Sequence, residues 1–170
     1  MDRQRLTITL AAGVTGGIAA NVAMLLTFRM LGMGLAGGGI LLDPAVQSAK
    51  LIAVWTELHP LPRVVTHPML MGLGVIALSV VRAWIYLWLS RAWPAGVLPR
   101  ALRFGALIWV LVYLFWEFFT PLNMLGEPVA LTLLELTFWA VVAFAEAFGT
   151  VLVAERLRPD VPARPSSLGD

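Results

Sequence analysis

Glu135 and Glu146 lie eleven residues apart in the last long apolar run of the chain, Val129 to Ala154. Eleven steps of about 100° return a helix to within about 20° of its start, so both carboxylates share one face. A charge inside a lipid-spanning helix costs at least about 2.5 kcal/mol unless it is paired, hydrated or protonated. Protein or water must therefore receive that face.

Depth along the apolar runs sorts the ionisable residues into two layers. Arg82 stands eight residues before Ser90, where the second run ends, and Glu146 stands eight before Ala154. Each is then roughly 12 Å inside the same boundary, at 1.5 Å per residue. Opposite charges at equal depth are predicted to pair, with Ser79, Tyr86 and Ser90 sharing the polar stripe of Arg82. A gating or proton-linked role is the alternative use of the same two groups.

The second layer gathers Glu117, Glu135 and Arg29, with His67 beside the second run and His59 in the loop before it. Tyr113 precedes Glu117 by one helical turn and Trp139 follows Glu135 by one, so aromatic walls are expected around a polar pocket. Three chemistries fit these residue types. Arg29 neutralises one glutamate while a histidine or water satisfies the other, tying loop to bundle. Alternatively, the pocket binds a small ligand or passes a proton or ion, as intramembrane acids often do. In the third, Glu117, Glu135 and one or both histidines hold Zn, Mn or non-haem Fe. The Glu-x-x-His spacing of soluble di-iron bundles is absent, so no metal is assigned. Each histidine precedes a proline, which suits a loop-fixing group better than a ligand, and neither falls within an apolar run as a haem ligand would.

The elements that must carry these groups are legible from composition. Of 170 residues, 59% are hydrophobic and only 13% charged, with a mean hydropathy of +0.85. That balance indicates an all-α polytopic membrane protein and not a soluble domain. The absence of cysteine excludes disulfides, thiol catalysis and Fe–S clusters. A net charge of +2 gives no reason to expect nucleic acid. No nucleophile–base–acid set is recognisable, Gly37-Gly38-Gly39 lacks the Lys-Ser/Thr of a phosphate loop, and no cofactor is expected.

Four runs can cross a bilayer, which takes about 20 residues: 6–33, 68–90, 101–120 and 129–154. The first is read as a retained span, since it continues past Phe28 without a convincing cleavage site. Arg3, Arg5, Arg91, Arg100, Arg103, Arg156, Arg158 and Arg164 fall on one side, against Lys50 and Arg63 on the other. The positive-inside rule then places both termini in the cytoplasm of a cell (inner) membrane protein. Asp43-Pro44 reads as an N-cap and first-turn pair opening an amphipathic helix over 44–58 on the outer side. His59-Pro60 stops it. Residues 156–170 read as a mobile cytoplasmic tail, leaving 1–155 as a four-helix transmembrane domain.

Gly13 and Gly17 stand at GxxxG spacing, with Ala12, Gly16 and Ala20 as a second small-residue row and Asn21 continuing the first. Such rows let helix backbones approach closely where lipid supplies no hydrophobic drive. Packing within the bundle is the simpler use, and a homodimer seam the other. A binding or structural protein, either an oligomer or an accessory subunit of a membrane complex, is the leading functional expectation. A small proton, cation or solute transporter stands second. A membrane metal or cofactor enzyme stands third.

Overall fold

The computed structural model describes residues 3–158, and these are mostly helical with no strand among them. Four helices are long and apolar enough to cross a membrane: Arg3–Gly32, Pro68–Ala92, Val97–Met124 and Val129–Leu157. The expected runs lie within or close to these bounds. The largest extensions are at the two ends of the third helix, which gains residues 97–100 and 121–124; the latter remain helical instead of joining the turn. Pro121 removes a donor from the ordinary ladder, but the backbone there adopts wider π-type turns over Phe118–Met124. The bond from Leu125 N–H to the Thr120 carbonyl at 3.0 Å closes one such turn.

Small residues determine how the first helix packs. A Cβ at Gly13 would fall 2.4 Å from the Val80 Cα, so this row lies directly on the second long helix. A Cβ at Gly16 would fall 2.1 Å from the Thr150 Oγ1, so the Ala12/Gly16/Ala20 row lies on the fourth. The first long helix is thus wedged between the second and fourth, and the third packs on the fourth. Asn21 donates to the Gly72 carbonyl of the second helix at 3.2 Å, as the continuation of the first row would have it. Within the chain the Gly13/Gly17 face is filled by Val80 and Ile76 of the second long helix.

The segment between the first and second long helices closes one end of the bundle, here called the cap end. Its helix is shorter than expected. Asp43-Pro44 forms a turn, with Asp43 Oδ1 accepting from the Ala45 N–H at 2.9 Å. The helix proper is Ala49–Thr56, and Ser48 is its N-cap, accepting from the Leu51 N–H. Asp43 and Ser48 are both good capping residues, and the later one starts the helix. A further short helix, Arg63–Thr66, had no counterpart in the sequence reading.

Leu41 and Leu51 are the buried anchors of the cap. Polar bonds then lock it to the turn after the third long helix. Ser48 Oγ donates to the Leu125 carbonyl at 2.9 Å and Lys50 Nζ to the Met124 carbonyl at 2.6 Å. At the opposite end the last helix runs on to Leu157, so Arg156 is helical and not the start of a tail. The remainder of the expected tail, 159–170 with Arg164, lies outside the described residues.

Candidate functional site

At the far end from the cap, Arg82 Nε donates to Glu146 Oε1 at 2.7 Å. The second and fourth long helices otherwise touch little, because the first separates them, and this ion pair spans the gap. Glu146 is fully buried while Arg82 keeps a slight exposure. Arg82 also reaches Ser79 Oγ at 3.4 Å. Nearer that end, a second polar knot joins three of the long helices. Tyr86 donates to Glu155 at 2.6 Å, Arg100 pairs with the same carboxylate, and Arg158 bridges Glu155 and Ser90. Sequence reading counted Arg100 and Arg158 only as topology markers and passed over Glu155. The available signal was a carboxylate two residues before the end of the last apolar helix, set beside basic residues at its foot.

Under the cap lies a different arrangement. Carboxylate oxygens of Glu117, Glu127 and Glu135 all fall within 4.8 Å of one another. Each comes from a different place: the third long helix, the turn, and the fourth long helix. Glu117 is fully buried, Glu127 nearly so and Glu135 partly. Trp139 Nε1 donates to Glu117 Oε1, while Glu117 Oε2 is buried with no donor against it among the described residues. Glu127 Oε1 accepts from Gln47 Nε2 at 2.8 Å and its Oε2 from Thr132 Oγ1 at 3.1 Å. Among the described residues, no Lys, Arg or His forms an ion pair with any of the three. Lys50, the basic group of the cap helix, is held by the Met124 carbonyl instead.

Several residues expected here are elsewhere. Arg29 is exposed and donates to the Leu35 carbonyl at 3.3 Å. The wider π-type turns over Leu25–Gly32 bury Thr27 and Gly32 and leave Arg29 on the outer surface. His59 and His67 are exposed too, and His67 Nδ1 meets the neighbouring Thr66 hydroxyl at 2.8 Å. Depth alone brought these three near the acids, but their side chains face away. Glu127 was missed because the turn holding it carries no local mark. Its partners Gln47 and Thr132 include one that is 80 residues distant in sequence.

The aromatic walls are present and sit between the two layers. Trp139 stacks on Tyr113 at 4.3 Å and 10°, and on its other side meets Phe28 at 4.3 Å. This three-ring plug fills the core directly below the acids. Above it, a cavity of about 110 Å³ is bounded by Phe28, Leu51, Trp55, Glu135 and Trp139 among others. Its walls are apolar except where Glu135 borders it.

No family model matches the chain, and neither a curated protein nor a solved structure does. Fold and site together define its class as an all-helical chain with four membrane-length apolar helices and an acidic centre beneath its cap.

Proposed function

We propose that the chain is a multi-pass membrane protein of binding type, with the cap on the outer side and both termini in the cytoplasm. Its acidic centre takes up positive charge from the aqueous phase that the cap faces. The observation carrying this reading is three carboxylates gathered within 4.8 Å without a basic side chain to offset them. Charges this close repel by several kcal/mol at the effective dielectric of a protein. A proton or a cation taken from outside relieves that repulsion. The distribution of Lys and Arg supports the orientation.

Relief of crowding is directly measurable. In chelator-containing alkaline buffer, where all three carboxyls are ionised, Glu135→Gln should raise the unfolding midpoint of the purified protein, since it removes one like charge at nearly constant shape. A midpoint that falls or stays put would count against the centre as described.

Conduction is the weaker alternative. The Phe28–Trp139–Tyr113 plug separates the acidic centre from Glu146, and Glu146 is already bound by Arg82. These two features favour binding over a path through the bundle. Partners on this reading are bilayer lipids and further copies of the chain or other membrane subunits. The mass of the solubilised protein, corrected for detergent, tests the assembly; a strictly monomeric species without co-purifying subunits would remove that part.

A further inference from the structure

We propose that the acidic centre is a divalent-cation site of the hard, all-oxygen kind, with Glu117, Glu127 and Glu135 as its protein ligands. The inference rests on the reading of that centre as a taker of positive charge and names the charge it takes.

The spacing suits one ion. Calcium binds oxygen at about 2.3–2.6 Å and magnesium at about 2.0–2.1 Å, so two ligands on opposite sides of one ion stand roughly 4–5 Å apart. The three carboxylates fit that span, one oxygen of each lying within 4.8 Å of the others. A mere crowd of surface acids would point into water, whereas Glu117 is fully buried and, with the neighbouring carboxyls ionised, its Oε2 has no donor among the described residues. A buried polar atom left unbonded is costly, and a cation against it supplies what is missing.

The surroundings also resemble a ligand support. Trp139 holds the other oxygen of Glu117, and Gln47 and Thr132 hold the two oxygens of Glu127. Metal-binding carboxylates are commonly oriented by such outer hydrogen bonds. Each held oxygen keeps a further lone pair for a cation. Because the three donors are carboxylates, with His59 and His67 turned outward, the set favours Mg, Ca or Mn over Zn or Fe. Two positive charges against three negative ones leave attraction in hand, which favours filling of the site. The cavity of about 110 Å³ beside Glu135 has room for water bound to the ion, each water occupying about 30 Å³.

The test uses the full chain in detergent micelles, stripped with chelator and titrated with Mn²⁺, the free ion being read by electron paramagnetic resonance. One saturable site per chain is expected, emptied by excess Ca²⁺ or Mg²⁺. Glu127→Gln and Glu135→Gln should each weaken it by at least about 10-fold, because charge count sets affinity in oxygen sites. Glu57→Gln, at the exposed end of the cap helix, should leave it unchanged. No saturable uptake by the unsubstituted protein up to about 10 mM, well beyond the weakest extracellular calcium modules, would overturn the proposal. So would equal binding by the Glu127 and Glu135 variants. If uptake fails yet Glu135→Gln still raises the unfolding midpoint, the divalent ion is wrong and the charge-seeking centre stands. If both fail, both readings fall.

Discussion

The two acidic layers of this bundle contain the same side chain in opposite situations. Glu146 is buried against Arg82, so its charge is answered within the chain. Glu117, Glu127 and Glu135 are buried or half-buried against one another, and the nearest help is hydrogen bonds from Trp139, Gln47 and Thr132. A charge neutralised inside the fold fixes how helices sit. Charges left for something outside to neutralise make a place for that something. The lesson is that burial of an acid says little about function until its counter-charge has been found.

Substitutions can break the contrast. Arg82→Leu should have the strongest effect, a loss of about 3–5 kcal/mol, because Glu146 is left buried and alone. Adding Glu146→Leu should recover much of that loss, and equilibrium unfolding in detergent reads both. If the double variant is as unstable as the single one, the pair does not account for the effect. Next comes Gly16→Val, whose side chain would collide with Thr150 and the Glu146 carbonyl. Overpacking of this kind costs about 1–3 kcal/mol. The same assay, together with a mass measurement, would show whether the first and fourth helices still associate.

A smaller effect tests the cap. Ser48→Ala removes the side chain that starts the cap helix and the bond to Leu125, for about 1 kcal/mol. Hydrogen exchange should show faster opening of Ala49–Thr56 in that variant, with the four long helices unaffected. Uniform loosening of the whole bundle would mean the cap is not a separate unit. The gentlest change, Glu135→Gln, is expected to act with the opposite sign and raise stability in alkaline buffer when no cation is supplied.

Much of this layout could be read from residue order. Apolar length set the four long helices, and counting from the ends of two of them brought Arg82 and Glu146 to one depth. Small residues three and four apart marked both faces of the first helix. Depth, however, is not direction. Arg29, His59 and His67 stand near the right level and point away from the acids, because helix rotation at Leu25–Gly32 and the loop path decide that. Glu127 was invisible for another reason: its role depends on Gln47, brought across by folding of the cap. The start of the cap helix was ambiguous for lack of any local rule choosing Ser48 over Asp43.

The sharpest single measurement compares two isosteric changes in one protein, Glu135→Gln and Glu146→Gln, by unfolding midpoint in cation-free alkaline buffer. Loss of charge at Glu146 should lower the midpoint, since Arg82 is then unpaired, and loss at Glu135 should raise it. Shifts of the same sign at both positions would contradict the division of this bundle into a self-neutralised layer and a charge-seeking one.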